Sequence, residues 1–169
     1  DQMVESQKAD LAKFNVEFDR WFREQDLHSA NKLEEIIQIL TDRGYMYEAE
    51  GALWFRSTDF GDDKDRVIIK NDGTYTYVTA DIAYHYNKLQ RGFTKLIDIL
   101  GPDHHGYIAR MKAAVQALGY PEDALEILIL QYVALLRDGQ QVKMSKRAGE
   151  FISLQDLLDE VGRDAARYF

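Results

Sequence analysis

The chain has no cysteine, which excludes a disulfide framework and a thiolate metal site. No apolar run approaches the roughly 20 residues of a membrane-spanning helix, and no signal-peptide pattern opens the chain. Surplus positive charge is missing too: 21 Lys and Arg stand against 29 Asp and Glu, a net charge of -8. Free-standing nucleic-acid binders are usually basic, so any RNA contact is expected to use a local basic patch or parts of a longer protein. Asp1 opens the chain without methionine inside a helical pattern, and Phe169 closes it inside another, so both ends are expected to be cuts. What remains is the composition of one ordinary globular domain, with 46% hydrophobic and 30% charged residues among 169.

The apolar spacing of Leu11, Phe14, Phe18, Trp21 and Phe22 predicts one amphipathic helix over residues 1–25. A second helix is expected over 32–43, capped by Ser29 or Asn31, buried through Leu33, Ile36, Ile37 and Leu40, and stopped by Gly44. Residues 45–56 read as two short strands turning at Glu50-Gly51. The aspartates of 59–66 lack the spacing and closing glutamate of a calcium loop, so a salt-bridged turn is the better reading. A strand at 67–70, a tight turn at Asn71-Asp72-Gly73 and a return strand at 74–78 follow. Thr79 is expected to cap a helix over 80–91 that Gly92 ends. Residues 95–100 read as a buried parallel strand and 105–118 as a helix ended by Gly119. The apolar stretch 126–136 fits helix or strand, and 153–158 and 163–169 are helical. Strand and helix alternate from Thr74 to Leu136 as a βαβαβ unit, which predicts an α/β fold with right-handed crossovers. Ligands in such sheets bind beyond the carboxyl ends of the strands. Tyr77, the turn from Gly101 to His105 and the loop after Leu136 all fall near such ends.

Three stretches carry the candidate chemistry. Asp81 either complements the dipole of its helix or accepts a guanidinium or ammonium group beside Tyr77. Gly101-Pro102-Asp103-His104-His105-Gly106-Tyr107 follows a strand and opens a helix. Adjacent histidines in a turn rarely aim at one ion, so helix capping by Asp103 or a polar contact to a nucleotide is preferred to a metal site. The loop Lys143-Met144-Ser145-Lys146-Arg147-Ala148-Gly149 is a local basic exception in an acidic chain. Alone it reads as a solvated face; its lysines are also suited, as point charges, to phosphate oxygens.

The string Lys143-Met144-Ser145-Lys146-Arg147 resembles the second signature of class I aminoacyl-tRNA synthetases, a loop that grips the ATP phosphates. With it stand Phe60-Gly61-Asp62-Asp63-Lys64-Asp65-Arg66, the run from Asp72 to His85, Arg91-Gly92-Phe93, Gly101 to Tyr107, and Glu160 to Phe169. In this order they resemble the bacterial arginyl-tRNA synthetases over nearly the whole chain. The resemblance implies the second half of a Rossmann-like nucleotide-binding domain. Residues 1–71 would be an inserted α+β segment, 72–152 the second half with its phosphate loop, and 153–169 the start of a helical connection. It implies that Tyr77, Asp81 and His105 meet L-arginine, with Asp81 on the guanidinium. Gly101, Asp103 and His104 would meet the adenosine of ATP, and Lys143, Met144, Ser145, Lys146 and Arg147 its phosphates, Lys143 and Lys146 being catalytic. ATP would enter as a substrate carrying Mg2+, with no metal held by the protein. The parent would be a cytoplasmic, monomeric arginine-tRNA ligase acting on L-arginine, ATP and tRNA(Arg), without a membrane partner. The family's first signature, of His-x-Gly-His type, has no counterpart among His28, His85, His104 and His105. The chain alone is therefore expected to be inactive. A non-catalytic nucleotide-binding module or a purely structural one is the alternative, and an acidic pocket residue would accept lysine as well as arginine.

Overall fold

The computed structural model describes residues 2–142 and 152–168. In chain order they form α1 (Gln2–Lys13), α2 (Gln25–Ser29), α3 (Lys32–Asp42), β1 (Met46–Ala49), β2 (Ala52–Phe55), β3 (Arg66–Ile69), α4 (Tyr77–Gln90), β4 (Leu96–Leu100), α5 (Tyr107–Ala117), β5 (Leu125–Ile129), β6 (Leu136–Arg137), β7 (Gln140–Gln141), α6 (Leu154–Val161) and α7 (Arg163–Tyr168). They fall into two compact units, one spanning Phe22–Gln131, the other made of Asp1–Trp21 with Tyr132–Phe169.

In the unit 22–131, β1, β2 and β3 make an antiparallel sheet in sequence order. Glu50 and Gly51 both adopt positive φ, 54° and 73°, as a two-residue hairpin turn of right-handed twist requires. Leu33, Ile36 and Leu40 of α3 enter the core beside Phe55, Ile68 and Ile82, while Ile37 is only half-buried. Asn31 precedes α3 in a left-handed conformation and its side chain makes no cap, nor does Ser29 cap this helix. The charged loop closes on itself. Arg66 donates from Nε and Nη2 to the two oxygens of Asp62, each at 2.7 Å, with both side chains buried.

β4 and β5 pair in parallel from Leu96↔Leu125 to Leu100↔Ile129, joined across α5. Leu96 and Leu125 share a buried cluster with Leu89 of α4 and with Met111 and Val115 of α5. The α/β character thus stands, with three corrections. First, 74–78 is no return strand. It keeps a single bridge, Ile69↔Tyr75, and the chain is helical from Tyr77 rather than Ala80. The βαβαβ unit is therefore one βαβ preceded by α4. Second, β4 is not fully buried. Ile97, Ile99, Leu128 and Leu130 leave an apolar face that is exposed in this chain. Third, of the ambiguous stretch 126–136, the first part completes β5, residues 130–135 are irregular, and Leu136 begins a small hairpin.

In the other unit the expected helix over 1–25 stops at Lys13. Asn15 turns left-handed at φ 58°, while Val16 N–H donates to Leu11 O and Asn15 N–H to Ala12 O. That pair of bonds is a Schellman ending, which asparagine tolerates better than most residues. Phe14 and Phe18 thus lie beyond the helix, and Phe18 meets Trp21 edge to face with centroids 5.4 Å apart. Arg167 of α7 donates to Phe14 O and Asn15 O at 2.8 and 2.9 Å, and Lys13 pairs with Gln155 of α6. Ser153 and Asp156 form a reciprocal capping box at the start of α6, as the sequence there predicts.

Candidate functional site

Two threonine hydroxyls decide where α4 begins. Thr76 Oγ1 donates to Val67 O and Thr79 Oγ1 to Ile68 O, both at 2.7 Å. These bonds clamp the helix start onto β3, so Thr79 is a buried tie and not a cap. Tyr77 opens the helix and is 85% exposed. Asp81 follows four residues later, in the second helical turn and not the first, on the same side of the helix.

Each of these two residues lines an opening. Asp81 lies in a cavity of about 220 Å³ with Phe22, Glu24, Leu27, Ala80 and Tyr84. Tyr77 borders a second depression, of about 460 Å³, whose wall includes Glu24, His28, Lys70, Tyr75 and Ala80. Glu24 and Ala80 belong to both. Sequence reasoning missed Glu24. It carries no periodic signal, and only the folded chain brings it beside a residue so distant in sequence. Phe22 and Tyr84 stack as a flat wall, with centroids 4.5 Å apart and planes at 29°. Among the described residues no hydrogen bond or ion pair reaches the Asp81 carboxylate. Burial raises its pKa; the neighbouring His85 opposes this, the anions Glu24 and Asp98 add to it, and Lys88 opposes it. Two carboxylates and stacked rings around a small opening suit a flat cation, which the carboxylates would neutralise and the rings would stack upon.

Beneath the cavity, His85 is buried, with Nδ1 2.7 Å from Asp81 O and Nε2 2.6 Å from Asp98 Oδ2. Lys88 Nζ donates to Asp98 Oδ1 at 2.8 Å. Burial alone would raise the Asp98 carboxyl; these bonds outweigh it and hold it at about 2. His85 and Lys88 thus face the middle of β4, while Leu89 shares a cluster with Leu96 at its start. α4 therefore runs antiparallel to β4, and its first turns point toward the strand end where Gly101 follows.

At that end Gly101 is extended and residues Pro102–His104 form a 3-10 turn, with His104 N–H donating to Gly101 O at 3.1 Å. Asp103, His104 and His105 are exposed. Gly106, not Asp103, stands at the N-cap of α5, and it makes no side-chain cap; the capping role expected of Asp103 is not found. Gly101, Asp103, His104 and His105 thus share one turn at the end of β4 toward which the first turns of α4 run, though neither cavity includes them. Lys143, Met144, Ser145, Lys146 and Arg147 lie outside the described residues. On one side of them stands the β6–β7 hairpin, turned by Asp138 and Gly139 at φ 52° and 76°, and on the other the capped start of α6.

A parallel strand pair joined across α5 and backed by α4 places the chain among α/β folds. The family described as tRNA synthetases class I (R), catalytic domain, matches residues 1–168, and the chain belongs to it. It is 57% identical over 166 residues to an arginine--tRNA ligase 1 of Halalkalibacterium halodurans, covering 98% of this chain and 30% of that protein. A crystal structure of an arginyl-tRNA synthetase from Campylobacter jejuni superposes with a TM-score of 0.91 at 44% identity, over 99% of this chain and 36% of that one. The Thermus thermophilus arginyl-tRNA synthetase, 19% identical, shares the fold with a TM-score of 0.75 over 99% of this chain and 34% of its own. The chain spans about 30% of the length of the curated relatives it matches.

Proposed function

We propose that the chain is part of an arginine-tRNA ligase, which joins L-arginine to ATP as arginyl-adenylate, releasing pyrophosphate, and then transfers the arginyl group to tRNA(Arg), releasing AMP. The observation that carries this reading is the half-buried Asp81 carboxylate, free of protein partners among the described residues, beside Glu24 and against the Phe22–Tyr84 wall. In adenylation the arginine carboxylate attacks the α-phosphorus of ATP. No protein acid or base is required, so positioning and charge neutralisation supply the rate. Asp81 takes the guanidinium, Tyr77 and His105 border the amino acid, and Glu24 adds a second anion. Gly101, Asp103 and His104 take the adenosine end. Lys143 and Lys146 stabilise the transferring phosphate charge, with Met144, Ser145 and Arg147 completing the loop; Mg2+ arrives with ATP. The cavity is too short of cations to favour an acidic amino acid, and the likeness to arginine enzymes selects arginine over lysine.

In this reading residues 1–71 are the insert, 72–152 the second half of the catalytic domain and 153–169 the connection to helices beyond. The protein works as a cytoplasmic monomer, and the chain alone does not aminoacylate. Among the described residues no helix is long and apolar enough to cross a membrane. The test is arginine-dependent ATP–pyrophosphate exchange, with tRNA present, by the protein at its full natural length. Asp81→Ala is expected to raise the KM for arginine at least about 100-fold, as loss of a charge-assisted contact does. Wild-type protein that is folded and exchanges nothing would leave the non-catalytic module as the better reading.

A further inference from the structure

We propose that Asp98, at the centre of β4, is a positioning residue that shapes the Asp81 cavity through two arms, His85 and Lys88; the proposal rests on the arginine-binding reading of that cavity. A carboxylate within Leu96-Ile97-Asp98-Ile99-Leu100 is costly unless it is paired. It lies on the face of the strand that packs against helices, opposite Ile97 and Ile99, and it holds two cation-forming side chains of one helix.

The first arm runs through His85. Its ring is wedged between the strand carboxylate, 2.6 Å from Nε2, and the peptide oxygen of Asp81, 2.7 Å from Nδ1. A carbonyl oxygen and an ionised carboxylate only accept, so Nδ1 donates to the first and Nε2 to the second. Asp98 thereby fixes the ring, and the ring fixes the backbone from which the Asp81 carboxylate projects. That carboxylate has no partner of its own among the described residues to aim it. The second arm runs through Lys88. With its ammonium on Asp98 Oδ1, Nζ lies 4.5 Å from the centroid of the Tyr84 ring. Tyr84 stacks on Phe22, and both rings wall the cavity. One carboxylate thus sets both the anion and the aromatic wall that a guanidinium would meet. A tether that only held α4 to β4 would need neither the contact with the Asp81 peptide nor the ring contact.

The experiment titrates L-arginine and ATP separately by calorimetry into the protein at its full natural length, with thermal melts to establish folding. Asp98→Ala cuts both arms and is expected to weaken arginine about tenfold or more while ATP changes less than about twofold, since small misplacements of aligned groups cost this much. Asp98→Asn can keep both contacts, its oxygen accepting from Lys88 and its amide donating to Nε2 of a ring protonated at Nδ1 alone, the reverse of the wild-type direction. It is expected to restore arginine binding to within about threefold of wild type. Should Asp98→Ala melt too low to titrate, Lys88→Met, which leaves the His85 arm intact, decides: weaker arginine with unchanged ATP supports the proposal, and both unchanged overturns it. Folded Asp98→Ala that binds arginine as wild type does, or loses arginine and ATP alike, overturns it too, leaving the function untouched. Folded wild type that takes no arginine overturns the functional reading and this proposal together.

Discussion

Asp62, Asp81 and Asp98 are all shielded from water, yet their environments push them in opposite directions. Burial alone would raise Asp62, but the hydrogen bonds from Arg66 bring it to about 2, and His85 and Lys88 do the same for Asp98. Both native values lie below the ordinary 3.8 expected of an unfolded chain. The stabilisation from each is therefore complete above about pH 5 and is lost as pH falls toward 2. Urea midpoints measured from pH 5 down to 2.5 should fall steadily, and Asp98→Asn should flatten that acid limb. Asp81 behaves the other way, because burial raises it further than the nearby His85 and Lys88 lower it, and no hydrogen bond or ion pair among the described residues stabilises the ionised form. Its contribution worsens as pH rises through its ordinary range, so at neutral pH the ionised, half-buried Asp81 costs stability. Asp81→Asn is expected to raise the unfolding free energy by about 0.5–1 kcal/mol, the size common for relief of strain at a functional site, while arginine binding is lost. Denaturation at pH 7 beside arginine titration checks both halves of that expectation.

Single residues also end and begin the helices. Asn15→Ala removes the short polar side chain that eases the left-handed ending of α1 and should cost about 1 kcal/mol, whereas Asn15→Gly should be close to neutral. Ser153→Ala removes half of the capping box of α6 and should also cost about 1 kcal/mol. Thermal melts of the three variants test the pair of devices. These ends show where sequence reading succeeds. The Glu50-Gly51 turn and the Gly44, Gly92 and Gly119 stops depend on neighbours a few residues away, and their residue types announce them. Aromatic spacing up to Phe22 outweighed the one residue, Asn15, that ends α1. The β-rich run 74–78 fails as a strand because the hydroxyls of Thr76 and Thr79 take the carbonyls of β3, a tertiary choice invisible to pattern. Tyr77, Asp81 and the turn from Gly101 to His105 can be picked out as site candidates from strand and helix boundaries and from likeness. Glu24 beside Asp81 and the contact of His85 with Asp98 cannot, because they exist only across the fold.

For the molecule as a whole, the sheet formed by β4 and β5 is largely apolar on both sides but covered by helices on one. Ile97, Ile99 and Leu128 are 57%, 62% and 41% exposed on the other. Patches of this kind mark interaction surfaces in proteins. The chain by itself should bind a hydrophobic dye, and Ile99→Asn should reduce that fluorescence while changing stability by no more than about 0.5 kcal/mol, as suits an exposed position. The division into units has a consequence in time. Phe22–Gln131 is continuous, so it can fold as soon as it leaves the ribosome. Asp1–Trp21 belongs instead with Tyr132–Phe169, roughly 110 residues downstream. At ~5–20 residues per second, Gln155 and Arg167 are still unmade for roughly 7–30 s after α1 itself is complete. Lys13 and the carbonyls of Phe14 and Asn15 wait through that interval for Gln155 and Arg167. During synthesis Asp1–Trp21 thus leaves the ribosome well before the segment it packs with, and it is exposed to chaperones and proteases through that wait.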